Sequence, residues 1–324
     1  MRLLFKKIRM IFFIGLTLIL SCAPAEEPAG KDGRLAVIAT IFPLYDFARN
    51  IGGDRVSVTM LLPPGSDVHH YELKPNDIIR VSKADIFLFT SFDLEQWAYK
   101  IINAAAEKTN MLAVETGQGA FLLPLPESPE LDPDHSAAPQ ANDPDHASKY
   151  DPHIWLDAAN AQKMIDNIAA AFIIRDPKNS EVYKENAGRY KRRLTELDEK
   201  YRVSLSACKT KTVLHAGHWA FAYLANRYHL RYRSAYNSSA DAEPSPQQIL
   251  SLMEQVRAQK LRYIYYEDLA APKLAGVIAS ETGVELLKLN NGHDVGKKDF
   301  QAGETFLSLM EKNLANLKKG MQCR

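Results

Sequence analysis

Long apolar runs are scarce in this sequence. Met10–Leu20 is one, and after it nothing in the 324 residues is apolar enough to cross a bilayer. Basic excess is also missing. Lys and Arg number 40 against 39 Asp and Glu, and a nucleic-acid-binding surface would need a strong basic surplus or stripe. No His-Glu-x-x-His segment and no Ser-centred nucleophile elbow occurs, so two common hydrolase signatures are absent. Cysteine is rare, with three in the whole chain.

What is present begins at the N-terminus. Arg2, Lys6, Lys7 and Arg9 form a basic flank, and the apolar run that follows has the length of a signal-peptide core rather than a membrane span. It ends at Ile19-Leu20-Ser21-Cys22, which resembles a bacterial lipobox with cleavage before Cys22 and lipid attached to that residue. Ala23-Pro24-Ala25 offers a rival cleavage site for simple secretion. The reading is a signal peptide over 1–22 and a tether over 23–33. The protein is then exported to the periplasm or cell surface and touches the membrane only through Cys22. Removing residues 1–21 leaves 36 basic against 39 acidic residues, a balance of −3. An oxidising compartment would let the remaining pair, Cys208 and Cys323, form a disulfide; two unrelated free thiols are the alternative.

Strands and helices alternate from residue 34 onward, which predicts an α/β protein with mainly parallel sheets. Strands are expected at Leu35–Ala39, Val56–Leu62, Ile86–Thr90 and Met111–Val114, with helices at Ile41–Asn50, Pro75–Ser82 and Leu94–Lys108. Residues 34–157 form the N-terminal lobe. Within it, 127–150 is rich in Asp, Pro, Ala, Ser and Asn and repeats Asp-Pro-Asp-His at Asp132–His135 and Asp143–His146. It reads as a mobile acidic and histidine-bearing loop.

Residues 158–207 are strongly helical. Tyr183, Ala187, Tyr190, Leu194, Leu197 and Tyr201 recur at spacings of three and four along Glu181–Ala207. A helix of that length spans on the order of 40 Å and lies between two α/β patterns, which favours a rigid strut bridging two lobes. The C-terminal lobe, 208–324, has expected strands at Thr210–Leu214, Leu230–Ala235, Tyr263–Glu267 and Glu285–Leu289. Its expected helices are Trp219–Tyr228, Gln247–Ala258, Lys273–Thr282 and a closing Phe300–Lys319.

Three histidines lie in short, distinctive segments far apart in the chain. They are His69 in Gly65–Glu72, His153 in Asp151-Pro152-His153-Ile154-Trp155-Leu156-Asp157, and His218 in His215-Ala216-Gly217-His218-Trp219. Neutral imidazole is a good ligand for Zn²⁺ and similar ions. His69, His218 and the pair His293-Asp294 each follow an expected strand, and ligands of parallel α/β sheets bind beyond the strands' carboxyl ends.

Taken together with Asp241-Ala242-Glu243-Pro244-Ser245-Pro246, Tyr263–Glu267 and Phe306–Asn313, these segments resemble the solute-binding proteins of zinc and manganese ABC importers, the metal-binding cluster A-I family. The resemblance covers nearly the whole mature chain. It implies two (β/α) lobes joined by one long helix, with the metal between them. The implied ligands are His69, His153, His218 and a fourth from the last loop of the second lobe. Counting back from Thr305-Phe306 places Asp294 in the ligand position of manganese-binding relatives, with His293 beside it. His70 and His215 are read as supporting or surface groups, and His229 as structural.

The cargo expected is Zn²⁺, with Mn²⁺ as the alternative, because at most one carboxylate joins the imidazoles. The expected partner is the membrane permease of a metal ABC transporter, and the protein is expected to act as a monomer and not as an enzyme. A secreted zinc-dependent hydrolase is the rival class, since catalytic zinc also uses three protein ligands. The resemblance also permits a role in cell adhesion, which no residue here carries.

Overall fold

The computed structural model describes residues 33–106, 110–125, 149–236, 244–267 and 272–324. The expected signal peptide with Cys22, the tether and the repeats at Asp132–His135 and Asp143–His146 lie outside, or almost wholly outside, the described residues. No helix of the described residues is long and apolar enough to cross a membrane.

The first lobe is a parallel sheet of β1 (Leu35–Ala39), β2 (Val56–Met60), β3 (Ile86–Phe89) and β4 (Leu112–Glu115), ordered β2-β1-β3-β4. The central strands β1 and β3 read Leu-Ala-Val-Ile-Ala and Ile-Phe-Leu-Phe and are almost wholly buried, as expected where helices cover both faces of a parallel sheet. Helices α1 (Phe42–Gly52), α2 (Pro75–Ser82) and α3 (Ala98–Ala106) connect the strands. A proline opens both α1 and α2, where its missing N–H costs no intrahelical bond.

Helix α4 (Ala158–Arg175) starts at Asp157, whose carboxylate accepts from the Ala159 and Asn160 backbone N–H groups, the usual N-cap arrangement. Helix α5 (Ser180–Ser206) runs for 27 residues and buries the expected stripe, Tyr183 through Tyr201, together with Leu205. Helix α5 is tied to other elements at its middle and in its C-terminal half. Tyr190 donates to Asp46 of α1 at 2.7 Å, and Tyr201 donates to the Met310 carbonyl at 2.6 Å. Arg227 pairs with Asp198 of α5 and with Asp157.

The second lobe repeats the plan with β5 (Thr212–His215), β6 (Arg231–Ser234), β7 (Tyr263–Tyr266) and β8 (Glu285–Lys288), all parallel and ordered β6-β5-β7-β8. Its helices are α6 (Ala222–Arg227), α7 (Pro246–Ala258), α8 (Pro272–Thr282), α9 (Lys297–Gln301) and α10 (Phe306–Gly320). The closing helix expected over Phe300–Lys319 is therefore two helices. Gly303 sits at φ +76 between them, a conformation that favours glycine. Thr305 then caps a new helix by accepting from the Ser308 N–H. Cys208 and Cys323 are joined by a disulfide across 115 residues, which ties the end of α5 to the C-terminus.

One continuous core runs from both faces of the first sheet through α4, α5 and α10 to α6 and Trp155. A smaller separate core, including Leu214, Leu252, Ile264 and Ile278, fills the far side of the second sheet. The junction between lobes is thus packed apolar structure. Trp155 adds a directed link, donating its indole N–H to the Asn291 carbonyl at 2.7 Å.

Candidate metal centre

Four imidazoles converge where the two lobes meet. His69 follows β2, His153 precedes α4, His218 follows β5 and His293 follows β8. Every pair of these rings has its centroids 5.1–5.7 Å apart. One nitrogen from each lies within 4.8 Å of the others. His153 Nε2 and His218 Nε2 are 3.2 Å apart.

The orientation of each ring follows from its own loop. Asp67 accepts from the His69 backbone N–H at 2.9 Å and holds His70 Nδ1 at 2.7 Å. That draws His70 to the surface and leaves His69 Nε2 buried without a hydrogen-bond partner. Asp151 Oδ1 accepts from the His153 backbone N–H at 2.9 Å and from its Nδ1 at 2.8 Å. A carboxylate only accepts, so Nδ1 carries the proton and Nε2 keeps its lone pair for the centre.

In the second lobe Glu267 Oε2 lies 3.0 Å from His218 Nδ1, and Glu267 Oε1 lies 3.2 Å from His215 Nε2. Glu267 can reach between these rings because Gly217 has no side chain; a Cβ there would stand 2.5 Å from Glu267 Oε1. Asn291 donates to Glu267 Oε2 at 2.6 Å and to Asp294 Oδ2 at 2.9 Å. Its side-chain oxygen Oδ1 accepts from the His293 and Asp294 N–H groups, an Asx turn that sets the loop.

The loop count pointed to Asp294, whereas the structure brings His293 into the four-imidazole group. Both His293 ring nitrogens are buried without a hydrogen-bond partner, and Nε2 stands 3.2 Å from Asp294 Oδ1. Asp294 falls into two mixed groups, one with Asp67 and His293 and one with His218 and Glu267. His215 is fully buried against Glu267 and the His218 carbonyl. His229 follows the C-cap of α6 at φ +54 and belongs to none of these groups. Glu267 ends the segment Tyr263–Glu267, yet sequence reasoning assigned it no role. The available signal was a carboxylate at the end of an otherwise apolar buried strand.

Two of the four imidazoles are held neutral. Burial holds His69 and His293 well below the usual histidine range, and the neighbouring imidazoles lower them further. Both offer lone pairs at neutral pH. His218 differs. Burial opposes its charge, but Glu267, Asp294 and Asp67 outweigh that and push it up to about 9. Burial likewise opposes the Glu267 charge, and His218 and His215 hold that carboxyl below its ordinary range. Burial raises Asp294 to about 7 despite His218. Four converging imidazole nitrogens, two of the rings backed by carboxylates, match the demands of Zn²⁺ better than those of Mn²⁺ or Ca²⁺, which favour oxygen-rich shells.

Comparison with known proteins gives a consistent picture. Residues 37–320 match the family model ZnuA, described as zinc-uptake complex component A, periplasmic. The chain is 32% identical over 314 residues to the zinc-binding lipoprotein AdcA of Streptococcus pneumoniae, an alignment that covers 97% of this chain and 61% of that protein. The chain therefore spans about three fifths of that relative's length. It is 30% identical over 327 residues to the high-affinity zinc uptake system protein ZnuA of Bacillus subtilis, covering 98% and 99% of the two chains. The crystal structure of the Zn(II)-bound ZnuA-like domain of Streptococcus pneumoniae AdcA superimposes with a TM-score of 0.73 at 30% identity, over 89% of this chain and 99% of that one.

Proposed function

The chain belongs to the ZnuA family of periplasmic zinc-uptake components, and from that premise we propose that it captures Zn²⁺ outside the cytoplasm and delivers it to the membrane permease of an ABC importer. The observation that carries the reading is the group of four imidazoles with ligand atoms within 4.8 Å of one another. His69, His153, His218 and His293 bind the ion. Asp151 and Glu267 orient two of them, and Asp294 stands beside the fourth. Four protein nitrogens fill a tetrahedral shell, whereas hydrolytic zinc keeps one position open for water. Capture as cargo therefore fits this donor set better than catalysis.

Export through the N-terminal signal, a lipid anchor at Cys22 and action as a monomer complete the proposal. The packed core between lobes favours release by small tilts and loop movement, since wide closure would disrupt α5 and its contacts.

The test is metal analysis of the mature protein purified without added metal, followed by competitive titration with Zn²⁺ and Mn²⁺. One tightly held zinc is expected. Changing His69, His153, His218 or His293 to Ala should weaken zinc binding roughly 100-fold or more, since even supporting residues are worth 10–100-fold. Asp294→Ala should cost less than His293→Ala. The reverse order would overturn the fourth ligand, and preferential retention of manganese would overturn the cargo.

A further inference from the structure

The four imidazoles are not the only potential ligands where the lobes meet. Asp67, His293 and Asp294 also bring one ligand atom each within 4.8 Å of one another. Asp67 lies in the loop after β2 of the first lobe, and His293 and Asp294 lie after β8 of the second. This group too closes across the junction between lobes, and it shares His293 with the first.

Exposure orders its members. The side chain of Asp67 is 48% exposed, that of Asp294 9% and that of His293 1%. In the four-imidazole group His69 is half-buried and the other three are buried. Asp67 is thus the solvent-facing member of the two groups, and the series Asp67, Asp294, His293 leads from solvent to the buried imidazoles. Asp67 Oδ1 accepts from the His69 N–H and Oδ2 meets His70 Nδ1, which leaves each oxygen a further lone pair.

The inner end of the series is unsatisfied. His293 Nε2 and Asp294 Oδ1 stand 3.2 Å apart, both buried and both without a hydrogen-bond partner. His293 Nδ1 lacks one as well. Buried polar atoms left in this way cost free energy unless a cation or a hydrogen-bonding group meets them. That separation suits two donors on one ion, each at about 2.0–2.2 Å from it.

We propose that Asp67, His293 and Asp294 form a transfer site, which holds a divalent transition-metal ion between bulk water and the four-imidazole group, on the way in and on the way out. The proposal deepens the capture role and rests on it. Two carboxylates and one imidazole leave the ion room for water, so it exchanges its shell stepwise. His293 stays on the ion while His69, His153 and His218 replace the two carboxylates. Because Asp67 belongs to one lobe and the other two residues to the second, a small tilt of the lobes opens this site and frees the way out.

The test is rapid-mixing kinetics on the full mature chain. Trp155 is a built-in reporter, its ring 5.5 Å from those of both His153 and His293. Capture is followed after mixing metal-free protein with Zn²⁺, and release after mixing zinc-loaded protein with excess chelator. Asp67→Asn keeps an oxygen for the His69 N–H, and circular dichroism checks its folding. It should slow capture and release together, each by roughly 5-fold or more, within the 10–10³ range that charged clefts contribute to on-rates. The capture defect should persist in about 0.5 M sodium perchlorate, where exposed charges more than about 4–5 Å apart are largely screened. Asp67→Glu should recover much of the rate. Asp294→Asn should slow capture as well, and the double variant should be little slower than the slower single one, because both carboxylates act on one ion in one step. A capture defect that salt abolishes, or defects that simply multiply, would reduce the carboxylates to distant attraction and overturn the transfer site. Faster release from Asp67→Asn with unchanged capture would make Asp67 only a support of His69, and unchanged rates in all variants would also overturn the proposal. Wild-type protein that bound no zinc would overturn the capture role itself, whereas tight wild-type binding beside unaffected variants would remove only the transfer site.

Discussion

The two lobes carry the same parallel sheet in the same strand order, yet they present their histidines by different means. In the first lobe the orienting groups are local. Asp151 acts two residues before His153, and Asp67 two residues before His69. In the second lobe the support comes from elsewhere in the chain. Glu267 follows β7 and reaches His218 after β5, and Asn291 after β8 holds Glu267 in turn. A local support survives small shifts of the framework because loop and carboxylate move together. A support spread over three strands depends on those strands staying in register. The second lobe has the features that would secure this: its own core on the far side of the sheet and a disulfide.

The largest expected effect tests that framework. Replacing Cys208 and Cys323 by Ser opens a link across 115 residues and should cost roughly 2–4 kcal/mol of stability. Denaturant unfolding of the zinc-free protein measures the total, and hydrogen exchange assigns it to a lobe. Loss of protection should be greater in β5–β8 than in β1–β4. Equal loss in both lobes would mean that the shared core, rather than the disulfide, holds the second lobe.

A comparable effect in the first lobe comes from Glu95. It is buried, accepts from the Thr40 hydroxyl at 2.6 Å, and accepts from the Thr90 and Ser91 N–H groups. It thus ties the residues that follow β1 and β3 to one another. Burial raises its carboxyl from 4.5 to about 7, against the pull of those hydrogen bonds. The folded protein therefore holds this proton more tightly than the unfolded chain. Its contribution is full below pH 4.5 and falls as pH rises from there through about 7. The total loss is on the order of 3 kcal/mol. Thermal unfolding of metal-free protein between pH 4 and 8 should show a steeper fall for the wild type than for Glu95→Gln. Parallel curves would remove Glu95 from this role.

The same contrast between lobes decides what could be read from sequence. Leu35–Ala39 and Pro75–Ser82 have the same bounds in the structure as expected, because one is a continuous apolar run and the other opens on proline. The α5 stripe was legible from its period. The closing helix was not, since one glycine conformation and one threonine cap outweigh a long helical composition. His69, His153 and His218 stand in segments with local character, so they could be singled out. That His293 rather than Asp294 joins the other three imidazoles follows from the Asn291 turn, which sets where adjacent side chains go. The role of Glu267 depends on contacts between distant strands and loops, which no spacing along the chain encodes.

The smallest expected effect compares the two supporting carboxylates directly. Asp151→Asn and Glu267→Gln keep size and alter charge, so neither leaves a cavity. Supporting groups of this kind are worth about 10–100-fold in metal affinity. Glu267 meets two histidines and Asn291 at once, so Glu267→Gln should fall near the upper end of that range. Asp151 serves His153 alone through Oδ1, and the backbone N–H of the same residue helps to fix it. Asp151→Asn should fall near the lower end. Competition titrations with a zinc chelator would give both values, and circular dichroism would confirm folding. If Asp151→Asn proved the more costly, a local support would be worth more than a network, and the contrast between the lobes would run the other way.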